Sequence, residues 1–148
     1  MGWRRRRIAP DVSVLIYAYR PDSGGHADYR GWLERQCVGA EPVGMSELVL
    51  AAFVRIVTNP RIFREPNELE EALAYAQALR QAPAAVRLAP GERHWSIFAG
   101  LCRAGQARGN LVADAYLAAM AIETGSAWVT TDRDFARFPG LRWRHPLN

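Results

Sequence analysis

The sequence predicts an α/β fold, and three observations carry that reading. Short apolar runs of strand length alternate along the chain with longer stretches of helical period, the rhythm of helices packed on a sheet. Neither an internal repeat nor a low-complexity linker interrupts it, and 148 residues suffice for one domain with a sizeable core, taken as residues 1–148. Two of the apolar runs also end at aspartates, Asp11 and Asp132. The carboxyl ends of strands are where open α/β sheets place their ligand sites.

Taken in order, "RRRRIAP", closing at Asp11, reads as a first strand, and "DVSVLIYAY" continues it into a short apolar helix. "HADYRGWLERQC" sets Tyr29, Trp32 and Leu33 on one face and is an amphipathic helix. "EPVGMS" is a brief strand. "SELVLAAFVRIVTNP" is a mainly buried helix with Ser46 as its N-cap and Asn59-Pro60 as its stop. "NELEEALAYAQALRQAP" has acids in its first turn, arginine in its last and Pro83 beyond, all of which favour a helix. "AVRLA" fits a strand and "GERHWSIFAGLCRAGQARGN" a further helix. "LVADAYLAAMAIETG" is a helix ended by Gly125, "AWVTT" a strand, and "LRW" a last edge strand.

Composition narrows the chemistry. Hydrophobic residues make up 49% and charged residues 23%, ordinary for a soluble globular chain, and no apolar run approaches the ~18–20 residues of a membrane span. The arginine-rich start resembles the charged end of a signal peptide. Pro10 and Asp11 break what would be its apolar region, however, and no small-residue cleavage site follows, so a cytoplasmic protein without a membrane partner is expected. Cys37 and Cys102 form no CxxC and have no histidine at metal spacing, which leaves them as buried free thiols. All 19 basic residues are arginine. Without lysine, a P-loop, a Schiff-base enzyme, a phospho-acceptor receiver and a haloacid-dehalogenase-type phosphatase are excluded. The net charge of +4 points weakly to a polyanionic partner.

Each acid near these elements has an ordinary explanation. Asp11 can cap the helix after it, Glu47 can complement a helix dipole, and Asp132 can cap the turn through Asp134 and Phe135. Asp114 fits such an explanation worst. Val112, Ala113, Ala115, Leu117 and Ala118 surround it, and no arginine stands three or four residues away. If the acids converge, two charges ~4 Å apart repel by about 4 kcal/mol at an effective dielectric near 20. A divalent cation offsets that repulsion, and oxygen-only ligands suit Mg²⁺ or Mn²⁺. Ser13, Thr130 and Thr131 are then placed to orient the carboxylates.

"APDVSVLIYAY" with Asp11, "MSELVLAAFVRIVTNPRIF" with Glu47, "NLVADAYLAAMAIETG" with Asp114 and "WVTTDRDF" with Asp132 together resemble the four motifs of PIN-domain ribonucleases. The likeness is specifically to VapC-type toxins of toxin–antitoxin pairs. It covers nearly the whole chain; one departure is Ser13, where the family often has asparagine. The resemblance implies a PIN-like three-layer α/β/α sandwich with a central parallel sheet. It also implies a Mg²⁺- or Mn²⁺-dependent endoribonuclease that leaves 5′-phosphate and 3′-hydroxyl ends, and a VapB-type antitoxin. Asp11, Glu47, Asp114 and Asp132 take the catalytic, metal-holding positions, with Asp134 as a further metal ligand or a helix cap.

For RNA, Arg55, Arg61, Arg64 and Arg133 stand nearest the acidic motifs and are candidate phosphate contacts. Single-stranded or looped RNA is favoured because its unstacked bases can reach an aromatic platform; Trp3, Trp128 and Trp143 could offer one but are expected in the core, and none is assigned to stacking. His26, His94 and His145 share no motif with the acids and are expected at or near the surface. A homodimer is expected from the apolar excess of "SELVLAAFVRIV" and the segment after it. Two alternatives stay open: a non-toxin RNA-processing nuclease of the same superfamily, and a catalytically silent module that binds RNA or protein.

Overall fold

A computed structural model describes residues 6–148. Arg4 and Arg5 of the expected first strand, and Trp3, lie outside that range. Along the chain run β1 (Ile8–Pro10), α1 (Val12–Tyr19), α2 (His26–Cys37), β2 (Val43–Ser46), α3 (Glu47–Val57), α4 (Leu69–Arg80) and β3 (Ala85–Leu88). They are followed by α5 (His94–Gly105), α6 (Asn110–Thr124), β4 (Ala127–Val129), a 3₁₀ turn (Arg133–Arg137) and β5 (Trp143–Arg144).

The five strands form one parallel sheet in the order β3-β2-β1-β4-β5. From β1 the chain steps through β2 to the β3 edge, then crosses back to β4 and β5. Right-handed crossovers in opposite directions place their helices on opposite faces, giving the expected three layers. Arg6 and Arg7 precede β1 and are not part of it; every residue of β1 is buried, and a strand covered on both faces has no place for a charged side chain. The C-terminal strand is at the edge, as the sequence predicts, but lies on Trp143–Arg144, shifted along from Leu141.

Local chemistry sets the helix ends. Ser46 accepts the Leu48 N–H at 3.2 Å and caps α3, and Thr58 closes it by donating its hydroxyl to the Val54 carbonyl at 2.7 Å. α6 stops at Gly125, whose φ of 67° is readily open only to glycine. Ala115, Ala118, Ala119 and Ala121 of α6 are fully buried, so small side chains let this helix lie close to the sheet. Phe53, Trp128, Leu15 and Met120 fill the core beside them.

One polar group is enclosed away from the acids. Arg20 is buried, with its fork on Asp22 at 2.9 and 2.7 Å and Nη1 donating to the Glu65 carbonyl and Asn67 Oδ1 at 3.1 and 2.8 Å. Its guanidinium lies 3.8 Å from the centre of the Phe63 ring. The residue therefore pins the segment after α3 to the end of α1. Arg20→Met should lower unfolding free energy by roughly 1–2 kcal/mol, since it removes the charge-assisted hydrogen bonds that tie these segments together. Urea denaturation measures this, and a loss within experimental error would refute the pinning role.

Candidate active site

The chain reverses its direction of travel across the sheet between β1 and β4, and a crevice opens at the carboxyl ends of these strands. Asp11 follows β1 there. Its extended backbone caps α1, and Oδ1 accepts the Val12 N–H at 2.7 Å. Oδ2 accepts the hydroxyl of the fully buried Thr130 at 2.8 Å. The same hydroxyl oxygen accepts the Asp132 N–H at 3.0 Å, tying the turn after β4 to the end of β1. Beside it, Thr131 donates to Ser13 Oγ at 3.1 Å, so all three hydroxyls expected to orient the acids are engaged at this crevice.

Electrostatics identifies which acids meet. Burial pushes the Asp11 carboxyl from its ordinary 3.8 up to about 6, against the lowering pull of its Thr130 and Val12 hydrogen bonds, with Asp114 and Asp132 adding to the rise. The half-buried Asp114 is also raised, first by desolvation and then by Asp132 and Asp134, while Arg137 opposes. Asp134 is exposed, and its N–H donates to Asp132 Oδ1 at 2.9 Å. Asp132 is thus both a cap and a member of the acid group. Arg137, at the end of the 3₁₀ turn, went unnoticed in the sequence; its spacing from Asp114 gives no sign of their proximity.

Glu47 is not among the acids that raise Asp11 or Asp114. It begins α3 and bonds Arg80 at 3.1 Å, with Arg87 at 3.8 Å, beside Met45 and Val86 in a small cleft on the β3 side. The helical period explains the departure: Leu48, Ala52, Arg55 and Ile56 face the crevice, and Glu47 falls on another side of the same helix. Among the described residues, no three acid, histidine or cysteine side chains close around one point at metal-ligand spacing. The aspartates stand within electrostatic reach of one another instead.

From Asp11 a groove of about 680 Å³ runs between α3 on one wall and α5 and α6 on the other, past Leu48, Val49, Ile56, Phe98, Tyr116 and Leu117. Arg55 lines it, and Arg133 is exposed beside the acids. Arg61 and Arg64 are exposed on the segment after α3 and do not line the groove. Trp128 is fully buried and Trp143 partly so, while Trp95, not among the tryptophans weighed for stacking, is exposed. His94, expected near the surface, is a core residue whose Nε2 lies 2.8 Å from the Tyr116 carbonyl oxygen. Cys37 and Cys102 are free but half-buried, more open than expected.

Residues 8–141 match the family model of the PIN domain. The chain belongs to the PIN-domain family. Over 141 residues, 95% of this chain and 96% of the relative, it is 54% identical to VapC ribonuclease Mb2897 of Mycobacterium bovis. Ribonuclease VapC25 of Mycobacterium tuberculosis is 39% identical over 136 residues, covering 92% of this chain and 96% of the relative. The fold recurs in VapBC2 of Rickettsia felis, solved bound to a DNA fragment from its promoter. That match has a TM-score of 0.67 and 18% identity, covering 94% and 98% of the two chains. The fold recurs too in VapC20 of Mycobacterium tuberculosis, a toxin that cleaves the sarcin-ricin loop, at a TM-score of 0.61 and 18% identity, covering 91% and 98%.

VapC ribonucleases of the PIN-domain family generally use a divalent metal. This chain's donor set suits one. Asp114 and Asp132 add to the rise at Asp11, Asp132 and Asp134 add to that at Asp114 against the pull of Arg137, and the donors are all oxygen.

Because the folded state holds the Asp11 proton more tightly than the unfolded chain, this carboxyl's stabilising contribution is complete below about pH 4 and is lost as pH rises through about 6. Asp11→Asn keeps an Oδ1 acceptor for the Val12 N–H and removes the ionisation. In chelator-treated buffer at pH 8 it should melt higher than the parent, by up to roughly 2–3 kcal/mol, and the two should converge near pH 4. Calorimetry across that range checks it; a pH-independent difference would contradict the buried, uncompensated carboxylate.

Proposed function

We propose that this PIN domain is a metal-dependent endoribonuclease, the toxin of a toxin–antitoxin pair acting in the cytoplasm. The observation that carries this reading is the meeting of Asp11, Asp114, Asp132 and Asp134 at the sheet's switch point, at the end of an open groove. The relatives named as VapC ribonucleases support it. Asp11, Asp114 and Asp132 would hold Mg²⁺ or Mn²⁺, with Asp134 assisting. A divalent cation, when bound, offsets phosphodiester charge and acidifies water for in-line attack. Thr130 fixes the Asp11 carboxylate, and the Asp132 cap holds the turn that carries Asp134. Hydrolysis breaks the P–O3′ bond, leaving a 5′-phosphate and a 3′-hydroxyl. Among the described residues, no helix is long and apolar enough to cross a membrane.

In Mn²⁺, Asp114→Asn and Asp132→Asn should cut RNA cleavage by roughly 10²–10³-fold while remaining folded, because each removes charge at nearly constant volume. Glu47→Gln, whose carboxylate pairs with Arg80 and Arg87, should lose less than either. Cleavage of a labelled RNA read on a denaturing gel decides between them; undiminished cutting by Asp114→Asn would sink the metal-site reading.

A free nuclease endangers its own cell, and solved neighbours of this fold include VapBC complexes. The partner is therefore a VapB-type antitoxin whose amphipathic segment lies on Leu48, Val49, Ile56 and Leu117 and offers an arginine to the aspartates. Ile62 on the segment after α3, about half exposed, adds apolar surface for a homodimer. Co-expression with the adjacent small reading frame should yield a co-purifying complex that cuts RNA far more slowly than the free chain, which should scatter light as a dimer. A complex as active as the free chain would remove the toxin assignment and leave a nuclease.

A further inference from the structure

Trp95 stands on the first turn of α5 with 70% of its surface exposed, a large apolar area that the fold does not use. Its ring is 5.3 Å from Phe98, and Phe98 meets Tyr116 edge-on at 5.6 Å. Both partners line the groove that ends at Asp11, so the three rings form a continuous row from the surface into the groove. Buried His94 fastens the row from behind. Its ring lies nearly parallel to Phe98, with 7° between planes, and its Nε2 donates to the Tyr116 carbonyl at 2.8 Å.

We propose that Trp95 is a base-stacking platform that holds an unpaired nucleotide flanking the scissile phosphate. The inference rests on the nuclease reading above, with single-stranded RNA as the substrate, and names the side chain that positions it. Two features favour a nucleobase over a peptide side chain. The groove leads to acids whose work is on a phosphodiester, so a strand leaving them along the groove passes the ring row. Exposed cations also complement its phosphates, Arg55 on the groove wall and Arg93 two residues before Trp95. Every base has a π-face, so such a platform positions RNA without choosing its sequence.

The test uses a short fluorescein-labelled RNA of mixed sequence, single-stranded or annealed to its complement, with binding read by anisotropy in the Asp114→Asn background. Trp95→Ala should weaken single-strand binding by about tenfold to a hundredfold, and Trp95→Phe by less. Duplex binding should be weak in both. In the cleaving chain, Trp95→Ala should raise KM more than it lowers kcat, since the ring positions RNA and does not touch the reacting atoms. Because the side chain is exposed, the variant should melt like the parent. Unchanged single-strand affinity overturns the proposal. Unchanged RNA affinity together with lost antitoxin binding overturns it too and assigns the row to the protein partner. If the parent neither binds nor cuts RNA in Mg²⁺ or Mn²⁺, the nuclease reading itself falls, and this one with it.

Discussion

Thr130 donates its hydroxyl to Asp11 and accepts the Asp132 N–H, and the arrangement of the acids depends on those two bonds. The first joins segments that are 119 residues apart in the chain, at the point where the sheet reverses direction, and the second fixes the turn that follows Thr130. Thr130 and Asp11 are both buried, so the bond between them is shielded from water, and losing it would leave a buried group unsatisfied. The Asp11 N–H also donates to the Val129 carbonyl at 2.8 Å, so the backbone holds the same two segments in register.

Against that frame stands a local electrostatic conflict. Asp11 is kept in a buried place where its ionised form is disfavoured, and Asp114 and Asp132 aggravate it. A core built for stability alone would put an apolar residue there; conflicts of this kind concentrate at sites of function. The surroundings absorb the cost. The alanine face of α6 packs tightly on the sheet and sets the height of Asp114, while the capping bonds at Asp11 and Asp132 partly stabilise their carboxylates.

Helix α3 separates two kinds of charge. Its crevice side carries Leu48, Ala52, Arg55 and Ile56, an apolar wall with one cation. Another side carries Glu47, neutralised by Arg80 and Arg87 across the β2–β3 end of the sheet. An exposed ion pair of this sort contributes little to stability. It does engage Glu47 in contacts away from the aspartates.

Much of this was legible in the chain itself. The element order, the caps at Asp11 and Ser46, the stop at Gly125 and the odd placement of Asp114 all follow from spacing and side-chain chemistry, because each is decided within a few residues. The four-motif resemblance pointed to the family. The pairing of Glu47 with Arg80 and Arg87, the burial of His94, the action of Arg137 on Asp114 and the exposure of Trp95 beside Phe98 were decided only in three dimensions. Local sequence specifies where a helix begins, but the rotation of that helix about its axis is set by which face finds apolar neighbours on the sheet. Those neighbours come from distant parts of the chain.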